Sequence, residues 1–181
     1  MFAGQQDLNP SENDYDWLGP GVYFWEADAP RALAWAQQQA ARKGWGDVAV
    51  VGAVIDLGNC LDLTRSDDHA IVRAAYRLLE AASVQQQVEL PRNRDIRSDP
   101  NGDRLLRNLD CAVIREVHKL MEANGLQQFD TVRSTFQEGA PLYPGAEFKE
   151  RTHTQIAVRT LKQYPWLLPP ATCGPAICLS Q

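Results

Sequence analysis

The chain has 181 residues and a formal net charge of −5; 44% of it is hydrophobic and 23% charged. That length and apolar share suit one ordinary domain with its own core. The acidic balance argues against bulk, counterion-driven nucleic-acid binding and leaves room only for a small local patch. No apolar run reaches the roughly 18 residues that a membrane helix needs. The opening residues Met1 to Asp7 have neither the basic nor the apolar region of a secretory signal. A soluble, cytoplasmic chain with no membrane partner is expected.

In chain order, residues 1–18 are polar and turn-rich, and Gly19-Pro20-Gly21 is a turn. Val22 to Trp25 reads as a short strand of β-formers. Asp28 caps a helix that runs to about Lys43, with Pro30 in its first turn and Gly44 behind it. Ala32, Trp35, Ala36 and Ala40 share one face of that helix. Asp47 to Leu57 is nearly continuous apolar sequence and predicts a strand buried on both faces. A second helix starts near Ser66 and continues through Ile71, Ala74, Leu78, Leu79 and Ala82. Residues 88–102 read as an exposed, partly basic loop. A third helix spans about Asp103 to Asn124, with the stripe Leu106, Leu109, Val113, Val117 and Leu120, and Gly125 behind it. Strands follow at Phe129 to Phe136 and Thr152 to Thr160. The order of elements predicts an α+β domain over residues 1–163 and a proline-rich tail over 164–181.

The four cysteines, Cys60, Cys111, Cys173 and Cys178, form no Cys-x-x-Cys pair and have no histidines beside them at zinc-ligand spacing. They are expected to be small buried or bystander thiols, and no metal is expected. The sequence holds no phosphate-binding glycine loop, no Gly-x-Gly-x-x-Gly and no His-Glu-x-x-His. His69 and His118 are expected at surface or edge positions. His153 alternates with Gln155 and Ala157 on one face of the last strand.

The richest stretch runs from Asn13 to Glu26. Trp17 and Trp25 flank two glycines, with Tyr23 and Phe24 between them and Trp35 on the helix that follows. Such a stretch builds either an aromatic-walled slot for a flat ring beside glycine backbone, or simply core. Gly19-Pro20-Gly21-Val22-Tyr23-Phe24, followed by Ala32, Ala34, Trp35 and Ala36, resembles the second motif of ADP-ribosyltransferases of the diphtheria-toxin and PARP branch. The segment also resembles bacterial and phage-associated transferase-like proteins. Gln155-Ile156-Ala157-Val158 is similar to the third motif of that branch, with glutamine where the family has its catalytic glutamate.

The resemblance implies a split antiparallel sheet with flanking helices and NAD as substrate. It implies that Tyr23 and Trp35 sandwich nicotinamide, that Gly21 and Phe24 border it, and that Gln155 holds the ribose. An amide there offers no negative charge, so transfer of one unit and not polymer growth is implied. Glu138 and Glu150 are nearby carboxylates placed to contribute. Arg133, Phe136 and Glu138 fall where such enzymes contact their target, either as a recognition loop or as a plain connection between strands. The implied function is mono-ADP-ribosyl transfer to a protein or nucleic acid, as a toxin or phage-conflict protein with an antitoxin as partner. The first motif, a strand ending His-Gly-Ser/Thr, has no counterpart: Tyr23 has only 22 residues ahead of it and none is histidine. Either the chain starts late relative to full members or it is a degenerate, NAD- or ADP-ribose-binding pseudoenzyme that acts as an interaction module.

Overall fold

A computed structural model describes residues 8–97 and 99–159 and, as backbone, 166–167 and 177–178. Strand β1 (Val22–Trp25) is buried throughout, because both faces of the sheet are covered. Its β-branched and aromatic residues suit a pleated surface packed on two sides. Helix α1 (Ala29–Lys43) follows as expected: the Asp28 carboxylate accepts the Arg31 N–H at 3.0 Å, and Gly44 closes the helix at φ +69°. Ala32, Ala36 and Ala40 are its buried residues.

The remaining strands are β2 (Ala53–Val54), β3 (Cys60–Asp62), β4 (Asn93–Arg94), β5 (Leu106–Arg107), β6 (Thr131–Phe136), β7 (His153–Val158), β8 (Trp166–Leu167) and β9 (Ile177–Cys178). Helices α2 (His69–Gln86) and α3 (Asn108–Ala123) lie between β3 and β6. Five strands form one sheet in the order β3-β6-β7-β1-β9. β3 and β6 run parallel; the other neighbours are antiparallel. The α+β class therefore holds, with a mixed sheet.

Strand alternation divides the core. Tyr23, Leu61, Val132 and Ala157 share a cluster with Ala75 of α2 and with Val113, Ile114, Val117 and Met121 of α3. Val22, Phe24, Ile156 and Val158 form a second cluster, against which Val51, Ile55 and Leu57 pack. Phe24 is fully buried there, which contributes about 2–3 kcal/mol in apolar transfer.

Three expected elements are corrected. The apolar run 47–57 is not a central strand. Residues 51, 53, 55 and 57 turn toward the second cluster while Val54 is 56% exposed, so the run covers the sheet from one side. Ala53–Val54 pairs with β8, and Val51 makes one isolated bridge.

α2 begins at His69 after a 3-10 turn (Ser66–Asp68) and packs through Ile71, Val72, Ala75, Tyr76 and Leu79. Ala75 and Tyr76 thus take the inward places expected of Ala74 and Leu78, and Leu78 is 47% exposed. α3 starts at Asn108, five residues later than expected, because Leu106 and Arg107 pair with β4. Asn93 then caps it from outside, its side-chain oxygen accepting the Leu109 and Asp110 N–H groups at 3.0 and 3.3 Å. The strand starts expected at Phe129 and Thr152 fall at Thr131 and His153. Most of the tail expected over 164–181 lies outside the described residues.

Candidate functional site

The loop before β1 is held from several sides. The Asp16 carboxylate accepts the Ser11 hydroxyl at 2.6 Å and the Asn13 N–H at 2.8 Å, and the Asp16 carbonyl accepts the Gly19 N–H at 2.7 Å. Burial raises the Asp16 pKa, with these bonds opposing the rise. Gly19 stands at φ +79° with Ile114 against it, and a Cβ on Gly21 would lie 2.8 Å from the Val158 carbonyl oxygen. Only glycine meets both demands without displacing a neighbour.

Tyr23 ties this loop to the core. Its hydroxyl accepts the Leu18 N–H at 3.0 Å and donates to the Gly19 carbonyl at 2.8 Å. Burial, then the Asp16 charge, push its pKa well above 10, so the phenol stays neutral.

The loop presents Trp17 to β7. The Trp17 indole N–H donates to Gln155 Oε1 at 2.6 Å. An indole can only donate, so this bond fixes which end of the amide faces Trp17 and leaves the Gln155 NH2 group as donor toward anything else. Gln155 is opposite Trp25 on one side and Ser134 on the other.

Around it runs a row of rings. Trp17 meets Phe136 edge-on at 5.0 Å, Phe136 lies 5.9 Å from His153, His153 lies 6.0 Å from Trp25, and Trp25 lies 5.3 Å from Trp35. The Arg107 guanidinium sits 4.5 Å over Phe136. His153 Nδ1 donates to the Arg151 carbonyl at 2.7 Å. Burial lowers the His153 pKa, so its ring is neutral at pH 7.

The structure joins some of the residues singled out above and separates others. Tyr23 and Gln155 lie on the paired strands β1 and β7, Gly21 packs on the Val158 carbonyl just before β1, and Phe24 turns to the opposite cluster from Tyr23. Tyr23 and Trp35 lie in different clusters: Trp35 packs on Trp25, and Tyr23 is 3% exposed. The expected pair of facing rings is therefore not formed.

Arg133, Phe136 and Glu138 are not on an exposed recognition loop either. Arg133 bonds Glu26 at 2.8 Å and Asp62 at 3.0 Å, and Phe136 belongs to the ring row. Glu138 is buried against Arg31, which bonds it directly. The exposed part of this connection instead carries Leu142, Tyr143 and Phe148. His118, expected at the surface, is buried at 6% exposure. His69 is half-buried, with Nε2 3.0 Å from the Leu63 carbonyl.

Beside Trp17 opens a cavity of about 630 Å³ between α2, the start of α3 and β6. Trp17, Tyr76 and Leu109 give it apolar walls, and Arg73, Arg77 and Arg107 reach into its lining. A second hollow of about 410 Å³ shares Arg107 and Thr135 with the first and adds Arg104, Gln137 and Lys149. The sequence analysis missed this groove, although Arg73 and Arg77 at i, i+4 with Tyr76 between them was a legible signal.

No family model, curated protein or solved structure matches the chain. Among the described residues, no three or more of His, Cys, Asp and Glu are placed to hold a metal, and no helix is long and apolar enough to cross a membrane.

Proposed function

We propose that this chain is a mono-ADP-ribosyltransferase domain that uses NAD as substrate, with a sheet of the ADP-ribosyltransferase kind. One observation carries the proposal. The two segments that resemble the family's second and third motifs are hydrogen-bonded neighbours, Trp25 pairs with Gln155, and Trp17 orients the Gln155 amide beside an open cavity.

In this reaction the bond between the ribose anomeric carbon and nicotinamide breaks, and nicotinamide leaves with the electron pair. The acceptor's nucleophile forms the new bond to that carbon and gives up its proton to solvent. Gln155 would donate from its free NH2 to a ribose hydroxyl oxygen. Being neutral, it cannot stabilise a developing cation by charge, and Glu138 does not replace that charge because Arg31 neutralises it. Catalysis then rests on positioning, with Tyr23 holding the loop, Trp17 and hence Gln155 in place.

A second reading has its own observation. With Tyr23 enclosed and Trp35 on Trp25, the Tyr23–Trp35 slot that the resemblance implies is not open for nicotinamide, which favours a domain that binds NAD or ADP-ribose without turnover.

Calorimetric titration with NAD, followed by assay of nicotinamide release, separates the two. The transferase reading expects NAD to bind, Gln155→Ala to bind but release nothing, and Trp17→Phe to release about tenfold more slowly through loss of one hydrogen bond. Binding without release by the native chain would favour the second reading; no binding would overturn both.

A further inference from the structure

The groove beside Trp17 has a charge that the chain as a whole lacks. In a chain of net charge −5, its two hollows are lined by four arginines and a lysine against three acids. Two of those acids are paired with cations of the same lining, and the third, Glu80, stands beside three arginines with no ion pair among the described residues. Asp110 pairs with Arg107 at 2.9 Å, Asp103 with Lys149 at 2.6 Å, and Glu80 accepts the Tyr76 hydroxyl at 3.0 Å. Arg73, Arg77 and Arg104 are exposed and form no ion pair among the described residues. Such a line of unpaired cations favours an anion.

Aromatic rings lie beside that line. Trp17 and Tyr76 are half-buried and line the first hollow, and aromatic side chains at such a wall suit stacking with a flat ring. Arginines spaced along a groove and aromatic rings beside them are what an unpaired nucleotide strand requires, with phosphates on the cations and bases on the rings. A duplex keeps its base faces stacked inward and gains nothing from the rings. An acidic peptide uses the cations alone.

We infer that this groove binds single-stranded nucleic acid, Arg73 and Arg77 holding phosphates while bases stack on Tyr76 and Trp17. Ser134 and Trp17, which line the groove, are respectively the sheet partner and the hydrogen-bond partner of Gln155. The strand therefore lies next to the proposed transfer site. As the acceptor it rests on the transferase reading; as a ligand it does not.

The test is fluorescence anisotropy of labelled single-stranded DNA and RNA of about 12 nucleotides, with the full chain. Three unpaired arginines predict a slope of log K against log salt of about −2, or about a 20-fold loss of affinity between about 50 and 200 mM salt. Arg73→Ala with Arg77→Ala, both at exposed positions, should cut affinity at least about tenfold and flatten that slope to about −0.7. Tyr76→Leu keeps the apolar packing and should lose about tenfold with the slope unchanged. Arg42→Ala, outside the groove, should change nothing.

The inference is overturned by no binding, by binding indifferent to the double variant, by equal affinity for polyglutamate of the same charge, or by displacement with excess NAD. NAD binding without oligonucleotide binding would remove the groove proposal alone. Oligonucleotide binding without NAD binding would remove the transferase reading alone.

Discussion

His118 supplies a pH dependence that can be worked out before it is measured. The Gln128 amide nitrogen donates to the His118 carbonyl at 3.1 Å, which turns Gln128 Oε1 toward His118 Nδ1 at 3.2 Å. An amide oxygen only accepts, so Nδ1 carries the proton. Nε2 is then the bare nitrogen, enclosed and without a hydrogen-bond partner. Burial, and then the charge of Arg159, lower the pKa from 6.5 to about 4, against an opposing contribution from the Gln128 bond.

The sign follows from which state takes up the proton. Above pH 6.5 the ring is neutral in both states and the depressed pKa has no effect. Below it the unfolded ring is protonated while the folded one is not, so stability falls by about 1.4 kcal/mol for each pH unit down to about 4. The whole interval amounts to about 3 kcal/mol. Urea denaturation of the native chain and of His118→Leu, at about pH 7.5 and pH 4.5, should show the native chain losing about 2–3 kcal/mol more than the variant. Carboxylates that titrate in this range cancel in the comparison. Parallel losses in the two proteins would refute the assignment of a neutral, enclosed imidazole.

Two further perturbations address the frame of the site. Gly21→Ala places a Cβ 2.8 Å from the Val158 carbonyl oxygen, backbone against backbone. It should therefore cost about 1–3 kcal/mol and lower the melting temperature by roughly 3–10 °C; an unchanged melting curve would refute the close approach of β1 and β7. Arg31→Met leaves the Glu138 carboxylate buried with only the neutral His153 ring 3.9 Å away and should destabilise by about 3 kcal/mol or more, whereas Arg31→Met with Glu138→Met should recover most of that loss. A double variant as unstable as the sum of its parts, measured by urea denaturation, would show that the two charges do not depend on each other.

What could be read in the sequence follows from how local the determinants are. α1 was legible from cap to cap because Asp28, Pro30 and Gly44 act on their own neighbours. The β1 strand was legible from its run of β-formers, and the alternation of His153, Gln155 and Ala157 because a period of two needs no partner to be seen. The run 47–57 misled because apolar residues alone do not distinguish a strand inside a sheet from one laid over it; that depends on what stands on the other side. The start of α3 was hidden because its cap, Asn93, belongs to a distant loop. At the site, Gln155 and Trp17 were both singled out, but the bond between them spans 138 positions and no local pattern encodes it. Arg133 and Glu138 seemed free for recognition because their partners, Glu26, Asp62 and Arg31, are remote in the chain.

The pairing of β1 with β7 also bears on how the protein comes to be folded. Val22 and Val158 are partners in the sheet although 136 positions apart. β1 is therefore made before β7 and must wait, that edge unsatisfied, until β7 has left the ribosome. Closing so long a loop before any sheet contact rewards it slows the search for the native topology. Meanwhile Val22, Phe24 and Trp25, destined for full burial, stand exposed on the nascent chain and invite association with other chains. The strand pair that builds the candidate site thus carries one of the long loop closures of the sheet, and β1 stays without that partner until β7 has been made.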